Sequence, residues 1–263
     1  MAKLQSTEIV GVANRPATIC SNSVCMWFDT TNTKIVFSYC GFSGAGTWSA
    51  GGAMITARVA LTGAGTQNAG LVAGGYSGPF SCTEEYNGTS WSAGGALATA
   101  RYALAGAGTQ NSGLAFGGSS ALSCTEEYNG TSWSAGGALI TGRRHLAGAG
   151  SQNEGLAAGG GANTEEYNGT SWSAGGALIT GRGCFAGAGT QNAGLVMGGY
   201  ILACTEEYNG TSWSVGGALS VARYTPAGGG SQSAAFVAGG YSNSILSCTE
   251  EYNKTLTILD TFL

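Results

Sequence analysis

The stretch RYALAGAGTQNSGLAFGGSSALSCTEEYNGTSW, residues 101–133, decides the fold because it recurs with small changes along most of the chain. One tryptophan closes each copy, and these residues are Trp48, Trp91, Trp133, Trp172 and Trp213. They lie about 40 residues apart, and this period, with paired glycines, is typical of the blades of a β-propeller. We therefore expect an all-β chain built from repeated sheets.

Each copy divides into four predicted strands. In residues 101–137, strand a is YALAGAG, strand b is GLAFGG, strand c is CTEEYN and strand d is TSWSAGG. Asn-Gly separates strands c and d in four copies and predicts a two-residue type I′ hairpin, in which both central positions have positive φ. The last copy has Asn253-Lys254 there. We expect four-stranded antiparallel blades.

Small and large side chains indicate where each strand lies in a blade. Strand a consists of small residues such as AGAG, which suit the innermost position, where neighbouring blades approach closely. Paired glycines after strand b permit a sharp exit that a Cβ would obstruct. The tryptophan of strand d is large enough to fill the wider gap between the outer parts of adjacent blades.

One arginine and one Glu-Glu pair occur in every copy, and this repetition favours a structural role over an active site. Neighbouring side chains on a strand point to opposite faces, so one glutamate of each pair can face the next blade. We expect an Arg–Glu ion pair that joins blade to blade. Structural roles are assigned to the tryptophans and to Arg58, Arg101, Arg143, Arg182, Arg223, Glu85, Glu127, Glu166, Glu207 and Glu251.

The order of motifs in each copy resembles the kelch repeat over residues 45–252: paired glycines, Glu-Glu-Tyr, a tryptophan and then an arginine. The resemblance implies a kelch-like propeller, although these blades are shorter and richer in glycine and alanine. We expect six blades, five regular and a divergent one from residues 1–52. The alternative is five blades in residues 45–263, with the Trp48 strand closing the last blade and residues 1–44 forming an attachment arm.

The segment SVCMWFDTTNTKIVFSYCGFSGAGTWSAGG, residues 23–52, predicts the strands Cys25–Asp29, Lys34–Tyr39 and Thr47–Ala50. It resembles a module of bacteriophage tail fibres, and the nearly identical TEEYNGTSW and AGAGTQNAG copies resemble structural proteins of marine phages of the cyanophage type. The resemblance implies a virion protein, as a monomer or an oligomer. Its partners would be other virion proteins and a host-surface glycan or protein.

The composition argues against several classes of partner. The 263-residue chain has a formal charge of −4, 9% charged residues and no Lys/Arg cluster, so we expect neither nucleic-acid binding nor attachment to anionic membranes. Residues 1–20 lack the apolar core of a signal peptide, and no stretch has the length of a membrane span. We expect a protein made in the host cytoplasm and carried on the virion, without membrane insertion.

Four of the eight cysteines occupy one repeat position, namely Cys82, Cys124, Cys204 and Cys248. Equivalent positions on neighbouring sheets lie about 10 Å apart, beyond the roughly 7 Å Cα limit of a disulfide. We expect small buried thiols there, as in a reducing compartment. The sequence does not decide whether two of Cys20, Cys25 and Cys40 form a disulfide bond.

The chain offers few groups for catalysis. Its one histidine, His145, replaces Ala, Cys or Thr of the other copies, and neighbouring glutamates on a strand point apart, unlike the facing carboxylates of a glycosidase. No close Cys/His pair predicts a zinc site. We expect a non-enzymatic protein without cofactor or metal. An intracellular kelch-type interaction module is the second candidate, and a glycan hydrolase is the last.

The copies differ most in their b–c loops and at the start of strand a. Strand order places these segments on one face and the nearly constant turns on the other. Positions that a repeat array does not need for stacking are free to be specific, and Tyr and Arg are frequent binding anchors. The candidate binding residues are Tyr76, Phe80, Tyr102, Arg144, His145, Tyr200, Tyr224 and Tyr241.

The two blade counts make opposite predictions for residues 45–263 expressed alone. With six blades the fragment lacks one blade and exposes two apolar end faces, so we expect it to be insoluble or to melt without a cooperative transition. Thermal melting followed by circular dichroism measures this. A soluble fragment that melts cooperatively would contradict six blades and favour five.

Overall fold

The computed structural model describes residues 49–76 and 80–254, together with the backbone of two earlier strands. These are β1 (Val24–Asp29) and β2 (Lys34–Tyr39), which pair antiparallel and belong to a unit separate from the one that begins at Gly51. Two of the three predicted N-terminal strands are thereby confirmed. Trp48 and the cysteines considered for a bridge lie outside the residues whose side chains are described.

Five antiparallel sheets follow in chain order, each forming one blade of a β-propeller. Blade 1 contains β3 (Thr62–Thr66), β4 (Ala69–Ala73), β5 (Thr83–Tyr86) and β6 (Trp91–Gly94). Blade 2 contains β7 (Ala105–Thr109), β8 (Ser112–Phe116), β9 (Thr125–Tyr128) and β10 (Trp133–Ala135). Blade 3 contains β11 (Leu146–Gly150), β12 (Gly155–Gly159), β13 (Thr164–Tyr167) and β14 (Trp172–Ala174).

Blade 4 contains β15 (Ala186–Thr190), β16 (Ala193–Met197), β17 (Thr205–Tyr208) and β18 (Trp213–Val215). Blade 5 has three strands, β19 (Ala227–Gly230), β20 (Ala234–Ala238) and β23 (Thr249–Asn253), and its b–c loop forms a small hairpin of β21 (Tyr241–Ser242) and β22 (Ser244–Ile245). The all-β fold with four-stranded antiparallel blades is confirmed, with the five blades of the alternative. The sixth blade expected from residues 1–52 falls mostly outside the described residues.

Small residues on the innermost strands allow the blades to approach closely. Strands β3, β7, β11, β15 and β19 pack on one another in sequence. A Cβ added to Gly148 of blade 3 would lie 2.2 Å from the carbonyl oxygen of Gly106 in blade 2. The paired glycines after strand b have positive φ, 68° and 122° at Gly74 and Gly75, as their predicted role in a sharp exit requires.

The turn between strands c and d differs from the predicted type I′ hairpin. It contains four residues, because Tyr86 pairs with Trp91, and Gly88 has positive φ (92°) whereas Asn87 does not. The side-chain oxygen of Asn87 instead accepts the backbone N–H groups of Thr89 and Ser90 at 3.0 and 2.9 Å. The Asn-Gly pair correctly predicted a turn at this position. The asparagine stabilises it as a side-chain hydrogen-bond acceptor, however, and not by adopting a positive φ.

The arginines from Arg101 onward each connect two blades. The backbone of Arg101 belongs with the preceding blade, because its carbonyl accepts the N–H of Gly75 (2.9 Å) and its N–H donates to Phe80 (3.2 Å). Its side chain is fully buried in the following blade, where Nη2 lies 3.0 Å from Glu126 Oε1 and Nη1 donates to the carbonyl of Cys124 at 2.8 Å. Equivalent pairs are Arg58–Glu84, Arg143–Glu165, Arg182–Glu206 and Arg223–Glu250.

The ion pair uses the first glutamate of each Glu-Glu pair. Glu126 also accepts the N–H groups of Ala98 and Thr99 at 2.7 and 3.3 Å, so one carboxylate holds the chain segment that enters the blade. The repeated cysteines lie beside the guanidinium, with Arg101 Nη1 2.9 Å from the sulfur of Cys124. Their thiols are free, but they are not buried as we expected: Cys82, Cys124 and Cys204 are half-buried and Cys248 is exposed.

In blades 1 to 4 the second glutamate of the pair faces the next blade and accepts a hydrogen bond from a tyrosine there. Tyr128 donates to Glu85 at 2.5 Å, and the same contact recurs as Tyr167–Glu127, Tyr208–Glu166 and Tyr252–Glu207. Burial and this hydrogen bond raise the pKa of Tyr128 to about 12. A neutral phenol of the next blade thus donates the hydrogen bond that this carboxylate accepts.

The tryptophans and the turn glutamines add two further contacts between blades. The indole nitrogens of Trp133, Trp172 and Trp213 each donate at 2.9 Å to a threonine of the preceding blade. The side-chain amide of Gln110 donates to the carbonyls of Gly70 (3.0 Å) and Tyr86 (2.8 Å), and the glutamines of blades 3 to 5 repeat this contact. Each boundary therefore combines apolar packing with several specific hydrogen bonds.

Blades 1 and 5 each leave one broad side exposed within the described residues. Phe236 of blade 5 is 38% exposed, whereas Leu114, which occupies the same position in blade 2, is 1% exposed. Tyr86 of blade 1 is half-buried, whereas Tyr128, Tyr167 and Tyr208 are fully buried. Strands β19 and β3 do not pack on each other as consecutive inner strands do. The four internal boundaries thus show contacts that the two ends lack.

Tyr128→Phe tests the contact between blades. The change leaves Glu85 without its phenol donor, and we expect the free energy of unfolding to fall by about 1–2 kcal/mol in urea titrations. Tyr86→Phe is the matched control: no carboxylate of the described residues accepts from Tyr86, so we expect a loss below about 0.5 kcal/mol. Equal losses in the two variants would contradict this assignment.

Alkaline pH provides a second measurement on the wild type. The pKa of Tyr128, Tyr167 and Tyr208 is about 12 in the folded state and about 10 in an unfolded chain. Between these values the unfolded chain ionises first, so we expect the free energy of unfolding to fall as pH rises from about 10 to about 12. A free energy of unfolding that stays constant over that range would contradict the raised pKa values.

Candidate binding face

The b–c loops and the starts of the inner strands lie on one side of the blades, which we call the variable face. Its loops in the described residues are Tyr76 with Phe80-Ser81, SSALS (119–123), GAN (161–163), YILA (200–203) and YSNSILS (241–247). The a–b and c–d turns lie on the opposite side, the constant face. Backbone hydrogen bonds join the segment that follows strand d to the b–c loop of the same blade and so stabilise the variable face. In blade 1, for example, the N–H of Leu97 donates to the carbonyl of Ser81 at 2.8 Å.

A chain of backbone hydrogen bonds runs through the variable face from blade to blade. Ala103 donates to Ala60, His145 to Ala103, Cys184 to His145 and Thr225 to Cys184, at 2.8 to 3.0 Å. All five residues have positive φ, between 49° and 58°, which is uncommon for residues other than glycine. No sequence signal reveals this, because Ala, His, Cys and Thr share no preference for that conformation. The residue before each one is the variable position, which precedes the inner strand by two or three residues.

Two predicted site residues meet at blades 1 and 2. The rings of Tyr76 and Tyr102 lie 4.9 Å apart with an interplanar angle of 57°. Tyr76 is half exposed, and its backbone pairs with that of Val59. Phe80 is half-buried, and its backbone connects Gly75 with Arg101. Its ring stacks on no aromatic ring of the described residues.

Three further tyrosines meet at blades 4 and 5. The rings of Tyr200 and Tyr224 are stacked, with centroids 6.5 Å apart and planes inclined by 20°. Tyr224 and Tyr241 exchange backbone hydrogen bonds of 2.8 and 2.9 Å. Tyr200 is 53% exposed and Tyr241 45%. The variable face therefore presents two aromatic clusters.

Blade 3 supplies the guanidinium and the imidazole of the variable face, and the entries to blades 4 and 5 supply a thiol and a phenol. Arg144 is exposed and His145 is half-buried. Burial and the neighbouring Arg144 charge lower the pKa of His145, so its imidazole is neutral at pH 7. Burial raises the pKa of the Cys184 thiol, and this neighbouring thiol raises the pKa of the Tyr224 phenol. The cluster is therefore neutral apart from the guanidinium.

The constant face has a structural function that the sequence did not reveal. Its glutamines bind the preceding blade, whereas its asparagines, such as Asn111, are exposed. A pattern of identical Thr-Gln-Asn turns does not indicate which of the three side chains reaches across a boundary. The variable face differs far more from blade to blade than the constant face does.

No helix in the described part of the chain is long and apolar enough to cross a membrane. Residues 49–76 and 80–254 contain no group of three or more His, Cys, Asp or Glu side chains placed to hold a metal ion. Comparison of the sequence with models of protein families and with curated proteins found no match. The resemblances to kelch repeats and to phage structural proteins therefore stay predictions, and the site itself carries the functional argument.

Proposed function

We propose that this chain is a non-enzymatic virion protein, a component of a tail fibre, a tip or the particle surface. It attaches through its variable face to a glycan or protein of the host surface, or to another virion protein. The chain is made in the host cytoplasm and assembled on the particle as a monomer or an oligomer. The phage-like repeats and N-terminal segment support the virion assignment.

The binding role is supported chiefly by one observation: arginines at a constant repeat position hold b–c loops that differ in sequence. The backbones of Arg101, Arg143, Arg182 and Arg223 each bind the b–c loop of the preceding blade in the same way, although the sequences of these four loops range from GAN to YSGPFS. A scaffold of this kind allows loops to vary without loss of the fold, as in other binding proteins whose loops are positioned by a rigid frame.

The residue types on the variable face suit adhesion. Tyr76, Tyr200 and Tyr241 are each about half exposed, and large apolar side chains exposed near one another mark interaction sites more often than singly scattered ones do. Tyrosine offers an apolar ring and a polar hydroxyl with little conformational entropy to lose. Ser, Asn and Gly between them supply hydrogen-bonding groups.

Replacing Tyr102, Tyr200 and Tyr241 together by Ser tests the proposal. Labelled protein is added to a panel of marine bacterial and cyanobacterial cells, and bound fluorescence is measured. We expect the wild type to bind at least one strain and the triple variant to lose at least about tenfold in affinity, which corresponds to about 1.4 kcal/mol. Its melting temperature should change little, because two of the three rings are about half exposed.

The matched control replaces Asn111, Asn153 and Asn192 of the constant face by Ser. These exposed side chains face solvent in equivalent turns, and we expect attachment to stay at the wild-type level. Loss of attachment in this control, with attachment retained in the tyrosine variant, would make the constant face the docking surface. A wild-type protein that binds no strain and no virion protein would contradict the proposed function.

A further inference from the structure

We propose that the cluster of Arg144, Tyr200 and Tyr224 binds a saccharide that carries a carboxylate group. This inference rests on the proposed adhesive function and names the chemistry of its ligand. Arg144 would pair with the carboxylate, and the exposed ring of Tyr200 and the half-buried ring of Tyr224 would pack against the sugar.

The charge of the variable face supports an anionic ligand. Among the Lys and Arg side chains of residues 49–76 and 80–254, Arg144 is the one without an ion pair: five arginines bind buried glutamates and Lys254 binds Glu207. The variable loops and strand starts contain no Asp or Glu. With His145 and Cys184 neutral, the cluster carries one positive charge on a chain whose net charge is −4.

A missing side chain allows the cluster to form. Gly183 occupies the position that Tyr102, Arg144 and Tyr224 hold in other blades, and a Cβ there would lie 3.1 Å from the hydroxyl of Tyr200. The Tyr200 hydroxyl therefore reaches over blade 4, between the blades that carry Arg144 and Tyr224. The same Cβ would lie 2.8 Å from the carbonyl oxygen of His145, so the residue next to Arg144 and the hydroxyl of Tyr200 border the same space above Gly183.

The backbone at Tyr200 is held in an unusual conformation. Tyr200 and Ile201 both have positive φ, 49° and 58°, whereas Tyr76, which follows the paired glycines of blade 1 in the same way, does not. A left-handed conformation is unfavourable for bulky residues and occurs more often at binding sites than elsewhere. Here it coincides with the exposed ring that stacks on Tyr224.

An acidic sugar fits this combination of groups. A guanidinium forms two parallel hydrogen bonds with a carboxylate, a geometry that a single ammonium does not match. The tyrosine hydroxyls and the neighbouring Ser242 and Asn243 offer donors and acceptors to sugar hydroxyls, and the ring faces offer apolar surface. Because the guanidinium is exposed, we expect salt to weaken the interaction.

Isothermal titration calorimetry of the full chain tests the proposal. The acidic probes are trigalacturonate and 3′-sialyllactose, and their uncharged counterparts are galactotriose and lactose. We expect at least one acidic probe to bind at least tenfold more tightly than its counterpart. Arg144→Gln should reduce that affinity to the level of the uncharged sugar, and Arg144→Lys should restore it in part. Asn111→Ser is the control and should bind like the wild type.

Three results would overturn the proposal: no acidic probe binds, each acidic probe binds no better than its counterpart, or Arg144→Gln binds like the wild type. Arg144 is exposed, and an unchanged melting temperature shows that the variant is folded. If the acidic probes fail while the tyrosine variant loses attachment to cells, the proposed function stands without this ligand. If attachment survives the tyrosine changes, adhesion by the aromatic face is wrong, whatever the titrations show.

Discussion

The buried ion pair between arginine and the first glutamate of each Glu-Glu pair is the contact on which the rest of the structure depends. Arg101 is fully buried, and its charge is compensated by Glu126 and by carbonyl groups. A buried charge without such partners costs several kcal/mol, so the side chain has essentially one acceptable place. Since the backbone of the same residue binds the preceding blade, fixing the side chain also fixes the relation between two blades.

This arrangement separates the part of each repeat that must be constant from the part that is free to vary. Tyrosine–glutamate, tryptophan–threonine and glutamine–carbonyl contacts occupy the sheets and the constant face. The b–c loops need only return the chain to the next arginine. Their differences in length and composition therefore leave the scaffold unchanged, and the aromatic clusters and Arg144 arise where these differences meet.

Much of the scaffold could be predicted from the sequence, because a period of about 40 residues, alternation along strands and small inner residues follow from local geometry. The sequence could not predict which glutamate of each pair binds the arginine. Alternation along the strand shows that Glu126 and Glu127 face opposite sides of the sheet, but it does not show on which side Arg101 lies. The positive φ of His145 and Cys184 and the reach of Gln110 across a boundary depend on tertiary contacts. The candidate residues of the variable face were found from their variability, but their division into two clusters required the structure.

A double-mutant cycle on Arg101 and Glu126 tests the central role of the buried pair most directly. The free energy of unfolding is measured in urea for Arg101→Met, Glu126→Leu, the double variant and the wild type. We expect each single change to cost about 3–5 kcal/mol, because each leaves one buried charge unpaired. The double variant should lose about 2 kcal/mol less than the sum of the two single losses, which is the signature of a direct interaction. Additive losses below about 1 kcal/mol each would contradict the account, because the repeat would then not depend on this pair.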